Sequence, residues 1–367
     1  MTVQPDRGAL AFAEKMLGLL RDGSFTATYK YAVILGLMDL SLEQSGRSGA
    51  APSMVTTRQL AEKVVELYWT HTLPFERDTV LKQNSRGQVK ILNLIDEFRT
   101  KHPGASGATS ARAHRSEPTC FERLLCEVEW VLVKMPLPKL QRIGTELHPF
   151  IYQINWNDDI RKRDFHAADF DNRILFVHQA GDHLVRLAGL IRPFVQREWT
   201  ERVSRINKDV VQQSQLEDFL FGANRIALGR VRKDLRELQN GRCFYCGDEI
   251  RSSPQVDHFV PWSRYPNNGI ENLVLTHSAC NNAKRDHLAS AEHVGKWAER
   301  SQRESTQLST IARMNSWESH PERSFSVAQA IYLRLPEGAR LWQRAGDFVP
   351  VNRTMLMGVF QQETASG

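Results

Sequence analysis

The chain has 367 residues, 41% of them hydrophobic and 25% charged, with a formal net charge of +6. That composition is ordinary for a soluble globular protein of two or three domains, and the longest apolar runs, such as Tyr31 to Leu37, are far shorter than the ~20 residues needed to cross a bilayer. Five cysteines are too few for a disulfide framework. The positive charge suits a polyanion-binding protein without requiring one.

The N-terminus opens on polar residues without a signal-peptide pattern, so a cytoplasmic protein is expected. Apolar positions Ala11, Met16, Leu17, Leu19 and Leu20 predict a helix that breaks at Gly23-Ser24. It resumes through Tyr31, Val33, Ile34, Leu35, Leu37 and Met38. After a loop at 45–53, "TTRQLAEKVVELYW" reads as a helix with Thr56 or Thr57 as N-cap. A further helix is expected from Val89 to Phe98. Short helices of this kind fit either a small bundle or a helix-turn-helix or winged-helix unit.

Residues 101–118, "KHPGASGATSARAHRSEP", have linker composition. Phe121 to Lys134 follows as a helix stopped near Pro136 and Pro138, with Cys120 and Cys126 expected as buried, inert thiols on different faces. "FIYQINW" (150–156) and "RILFVH" (173–178) are strand candidates. His183 to Asn207 reads as a helix kinked near Pro193. A helix expected over 216–239 carries Arg225, Arg230, Arg232, Lys233 and Arg236. They form either a solvated face or a strip of phosphate contacts. At the C-terminal end one or two short helices are expected, with Trp342, Phe348 and Leu356 as packing residues.

The fold class is therefore mainly α with a small α+β module, in several domains. The boundaries expected are a helical domain at 1–104 with the winged-helix reading open, a linker at 105–118, a mixed and mainly helical domain at 119–212, the module with its leading and trailing helices at 213–303, and a helical segment at 304–367.

The module carries the chemistry. Cys243 and Cys246 form a C-x2-C pair, and His277 and Cys280 an H-x2-C pair downstream. Three thiolates and one imidazole are a tetrahedral zinc set, here structural. Between the pairs, "VDHFVP" places Asp257 beside His258. Neighbours on a strand point to opposite sides, so both serve one site only where the strand ends. Asp257 and Asn281 offer hard oxygen ligands suited to Mg2+ or Mn2+. His258 is the natural general base, with an unperturbed pKa near ~6.5.

The stretch "CFYCGDEIRSSPQVDHFVPWSRYPNNGIENLVLTHSACNNAKRD" resembles the HNH endonuclease family, whose fold is a ββα-metal unit. The resemblance rests on Cys243 and Cys246, on Asp257-His258 followed by Pro261, on Asn272-Leu273, and on Cys280-Asn281 with Lys284. It implies that Asp257 and Asn281 hold the catalytic cation and that His258 activates water. It further implies that Asn272 hydrogen-bonds the loop carrying His258 and that Lys284 and Arg285 contact phosphate; on the phosphate-strip reading of the preceding helix, Arg232 and Arg236 contact the nucleic acid as well. His277 departs from the usual C-x2-C second knuckle. The terminal Asn281 is as in the HNH domains of RNA-guided CRISPR effectors, which generally lack the knuckles. The resemblance implies a metal-dependent DNA endonuclease leaving a 5′-phosphate and a 3′-hydroxyl, of a kind found in restriction and phage-defence proteins, as a homodimer or with a defence-system partner. A nucleic-acid-binding module with a degenerate nuclease fold and an RNA-cutting toxin remain the rival readings.

Overall fold

The computed structural model describes residues 7–22, 27–75, 79–106, 109–144, 146–208, 213–222, 228–336 and 338–362. The expected break at Gly23-Ser24 and the strip residue Arg225 lie outside them. Helices dominate, with small antiparallel sheets. The described chain falls into two compact units, one within Gln4–Ser41 and Pro52–Ala223, the other within Leu42–Ala51 and from Asn224 onward.

The first unit opens with α1 (Arg7–Asp22) and α2 (Tyr29–Glu43), then β1 (Met54–Thr56), α3 (Thr57–Trp69) and α4 (Lys90–Lys101). The short α5 (Pro103–Ser106) and α6 (Ser110–Ser116) lead into α7 (Pro118–Lys134). Next come β2 (Arg142–Ile143), β3 (Glu146–Leu147), β4 (Tyr152–Gln153), α8 (Lys162–Phe165) and β5 (Arg173–Phe176), and finally α9 (Ala180–Arg186), α10 (Ala188–Ile206) and α11 (Gln213–Glu217). Thr56 starts α3 with a capping box: its hydroxyl accepts from the Gln59 amide while the Gln59 side chain accepts from the Thr56 amide.

Apolar packing holds this unit together. Trp69, Phe98 and Phe121 meet with ring centroids 5.5–6.0 Å apart, joining α3, α4 and α7. A second cluster gathers Tyr68, His71 and Trp199 at 5.2–5.6 Å. His71 is buried there with Nε2 against the Leu220 carbonyl at 2.8 Å, and burial pushes its pKa down to about 4.

The structure divides this part of the chain differently from the composition. β1 pairs with β5 and β5 with β4, so one three-stranded sheet takes strands from both sides of the expected linker. The stretch 105–118 itself carries α6, started by Thr109, whose hydroxyl accepts from the Arg112 amide. Helix α3 buries Leu60, Ala61, Val64, Val65, Tyr68 and Trp69 and leaves Glu62 and Glu66 exposed. Cys120 and Cys126 are half-buried rather than sequestered.

The second unit contains α12 (Arg232–Leu238), β6 (Pro254–His258), β7 (Leu273–His277), α13 (Ser278–Lys284), α14 (Ala291–Arg303), α15 (Ser305–Met314), α16 (Pro321–Leu333), the hairpin β8 (Arg340–Arg344) and β9 (Asp347–Pro350), and α17 (Arg353–Gln362). The single helix expected over 216–239 is broken into α11, a π-turn at Asp218–Gly222, a 3-10 turn at Leu228–Arg230 and α12. Gly222 and Gly229 each weaken a helix interior by roughly 1 kcal/mol, and the unit boundary falls between residues 223 and 224.

The C-terminal segment includes the β8–β9 hairpin as well as helices. Trp342 and Leu356 are buried as expected, and Phe348 is half-buried. That segment belongs to the same unit as the module. Trp317 Nε1 donates to the Asn268 carbonyl at 2.6 Å and Asn267 Nδ2 to Ser324 Oγ at 2.9 Å. Residues 42–51 join it as a strap on α16, through Ser45 Oγ to the Ser326 carbonyl at 3.0 Å and Gln329 Nε2 to the Arg47 carbonyl at 2.9 Å.

Candidate active site and metal centre

Strands β6 and β7 pair antiparallel, with Asp257 opposite Val274 and His258 opposite Leu273, and α13 begins directly after β7. The result is a ββα unit. Its knuckle is a tight turn in which the Gly247 amide donates to the Cys243 carbonyl at 2.9 Å and the Cys243 amide to the Asp248 carbonyl at 2.9 Å. Gly247 closes that turn at φ +77, a conformation glycine adopts without a Cβ penalty.

Cys243, Cys246, His277 and Cys280 bring their donor atoms within 4.8 Å of one another. Cys246 Sγ lies 3.3 Å from His277 Nδ1. Burial raises the Cys243 thiol, but the backbone amides of Cys246, His277 and Tyr245 outweigh it and lower its pKa. Burial raises Cys246, and burial with the neighbouring thiols pushes Cys280 up to about 12. Three sulfurs this close resist joint ionisation unless a cation shares them. The donor set of three sulfurs and one nitrogen, converging from the two paired motifs, therefore fits zinc.

A cleft of about 950 Å3 opens beside this staple, and its walls include Asp257, His258 and Asn281, with Gln255, Trp262, Arg232 and Arg285. His258 is the last residue of β6, so the strand ends where two neighbouring side chains must share a site. Its Nε2 lies 2.9 Å from Asn268 Oδ1. With an amide oxygen as acceptor, Nε2 carries the ring proton and Nδ1 keeps the lone pair. Asn281 Nδ2 donates to Gln255 Oε1 at 2.8 Å, which orients the amide so that its oxygen could serve as a cation ligand.

Asp257 is held from below. Tyr245 Oη donates to Asp257 Oδ2 at 2.6 Å, and Lys284 Nζ donates to the same oxygen at 2.9 Å and to the His258 carbonyl at 2.9 Å. Burial, then the Asp257 carboxylate, push the Tyr245 hydroxyl well above its usual range, so it stays a donor. Lys284, expected among the phosphate contacts, is 0% exposed and committed to these bonds. Its spacing on α13 turns it under the site instead of outward.

Asn272 is fully buried. Its Oδ1 accepts from the Val260 amide at 2.8 Å, and its Nδ2 donates to the Asn267 carbonyl at 3.0 Å and the Val260 carbonyl at 3.2 Å. It thereby pins the turn after His258. From α14, Trp297 Nε1 and Arg300 Nη2 donate to the Glu271 carbonyl, and Arg300 Nη1 to that of Leu273. Arg232 and Arg285 are exposed at the cleft, whereas Arg236 donates to the Ile250 carbonyl at 3.0 Å and does not line it.

Sequence reasoning missed Tyr245, Gln255 and Asn268. The strand period of two could have found Gln255, which shares a face with Asp257. Asn268 reads locally as a turn residue in "NNG", and Tyr245 as one aromatic inside the knuckle. Nothing in their spacing points at the site.

Residues 243–290 match the family model described as HNH endonuclease. This segment is an HNH domain. A stretch of 63 residues is 43% identical to "CRISPR-associated endonuclease Cas9" of Listeria innocua serovar 6a, covering 16% of this chain and 5% of that protein. The chain thus matches only a small fraction of that relative's length. No solved structure matches the chain.

Proposed function

We propose that this protein is a metal-dependent endonuclease that hydrolyses phosphodiester bonds in DNA. The observation that carries this reading is the convergence of Asp257, His258 and Asn281 on one open cleft beside the three-cysteine, one-histidine cluster. Both bonds to Asp257 fall on Oδ2, so Oδ1 and the Asn281 amide oxygen would hold a hard cation, Mg2+ or Mn2+. When bound, such a cation neutralises charge developing on the phosphoryl oxygens and the leaving group.

His258 Nδ1 takes a proton from a water directed at phosphorus. The water oxygen forms the new P–O bond as the bond to the 3′-oxygen breaks. The departing oxygen takes a proton from solvent, leaving a 5′-phosphate and a 3′-hydroxyl. Asn268 keeps the base in the productive tautomer, while Arg232 and Arg285 meet the flanking phosphates. Lys284 and Tyr245 hold the carboxylate in place through Oδ2. DNA as the substrate rests on the family resemblance.

Nicking of supercoiled plasmid with Mg2+ or Mn2+, alongside single-stranded DNA and RNA, tests this. Wild type should nick the plasmid and His258→Ala should be slower by about 10²–10⁴-fold, the usual worth of a positioned base. Equal rates for the two, or inertness of both on every substrate, would contradict the reading, and preferential cleavage of RNA would reassign the substrate.

A further inference from the structure

Among the described residues a second cluster of metal-ligating side chains stands apart from the knuckle, in the helical unit. His102, at the C-terminal end of α4, meets Glu117 and Cys120, at the start of α7, with all three donor atoms within 4.8 Å of one another. All three residues are half-buried. Glu117 and Cys120 are three apart, which places them on one side of the first turn. The His102 ring rests against Phe98 with centroids 4.8 Å apart, which limits its rotation.

The plain alternative is an ion pair between His102 and Glu117, and it does not account for the Cys120 thiol meeting the same two groups. His102 Nδ1 and Glu117 Oε2 are 3.5 Å apart, longer than the roughly 2.7–2.9 Å of a charge-assisted hydrogen bond. Ligands about 2.0–2.1 Å from one zinc ion sit about 3.3–3.4 Å apart along the edge of a tetrahedron, so this separation fits a shared ion. The longer zinc–sulfur bond, about 2.3 Å, widens the edge to Cys120 further. The knuckle has a similar sulfur–nitrogen edge, 3.3 Å between Cys246 and His277.

We propose that His102, Glu117 and Cys120 form a second site for a borderline-soft divalent ion of the zinc class, with three protein ligands and a fourth position open to water or an exogenous donor. An imidazole, a carboxylate and a thiolate favour such an ion over Mg2+, which prefers all-oxygen shells. With one ligand fewer than the knuckle, it binds more weakly and exchanges faster. An ion there ties α4 to α7 across the short α5 and α6.

The test is a Co2+ titration of the full chain, first loaded with zinc and dialysed so that the knuckle is filled. Wild type should develop a thiolate-to-cobalt charge-transfer band, which Co2+ held by the oxygens of Asp257 and Asn281 does not give. Cys120→Ser should lose the band, and His102→Ala should lose at least about 100-fold in affinity, more than the 10–100-fold that outer partners of a ligand cost. Circular dichroism and melting of each variant without added metal establish that it is folded. A wild-type titration with no thiolate-to-cobalt band up to millimolar Co2+, or a band that Cys120→Ser leaves unchanged in a folded protein, would overturn the proposal.

Discussion

The two units of this chain are held by different physics. The helical unit is packed by rings and aliphatic side chains, with Trp69, Phe98 and Phe121 in one cluster and Tyr68, His71 and Trp199 in another. The ββα unit has two five-residue strands and a seven-residue helix. It has apolar packing of its own, with Phe259 stacked on Trp297 at 5.1 Å, and adds polar side chains that grip backbone: Asn272, Lys284, Trp297 and Arg300. Substitution should therefore be graded by packing in the first unit and by packing together with backbone bonding around the ββα module.

The sharpest way to break that comparison is Cys246→Ser. A structural zinc contributes on the order of 10 kcal/mol to folding, so the variant should lose the knuckle zinc and melt the ββα unit early while the helical unit persists. Mass spectrometry for metal, with calorimetry, reads both effects, and an unchanged melt would remove the zinc from the account. Next, Lys284→Met should cost about 3–5 kcal/mol, because it strands the buried Asp257 carboxylate, and it should abolish nicking. Denaturant titration and plasmid nicking measure the two, and a phosphate-contact role would instead leave stability intact.

The helical unit offers a test of its own by pH. His71 is neutral in the fold with a pKa near 4, against about 6.5 when unfolded. The unfolded chain takes up the proton first, so stability falls as pH drops below about 6.5 and stops falling near 4. The full loss is about 3 kcal/mol, and His71→Gln should flatten that part of the melting profile. Smaller again, Asn272→Ala should cost about 1–3 kcal/mol by leaving the buried Val260 amide unpaired, and should lower kcat more than KM by loosening the turn after His258. Smallest is Thr56→Ala, about 1 kcal/mol from the lost cap of α3, read by denaturant titration, with nicking unchanged.

The same contrast explains how much was legible in the sequence. The zinc set, Asp257, His258, Asn272 and Asn281 could be read because ligand chemistry demands fixed residue types at fixed spacing, and the structure brings these positions together. Lys284 was misjudged because charge alone does not say which side of a helix a lysine takes, and burial reverses its job. Asn268 and Tyr245 act through tertiary contacts that no local pattern carries.

In the helical unit the elements were legible, with α3 capped at Thr56 as expected, but their grouping was not. The β1–β5 pairing joins residues more than a hundred positions apart, and the composition of 105–118 describes a loop and a helix start equally well. Local spacing therefore conveys a site better than it conveys the partition of a chain into units.

The central claim is that the ion stapling the fold and the ion serving the chemistry are separate. Asn281→Ala tests it most directly, with plasmid nicking measured across Mg2+ concentration and knuckle zinc measured in the same sample. The account predicts full retention of the knuckle zinc, an unchanged melt, and nicking slower by at least about 100-fold, the scale of one lost positioned group. Wild-type nicking in that sample, or loss of zinc together with activity, would contradict it.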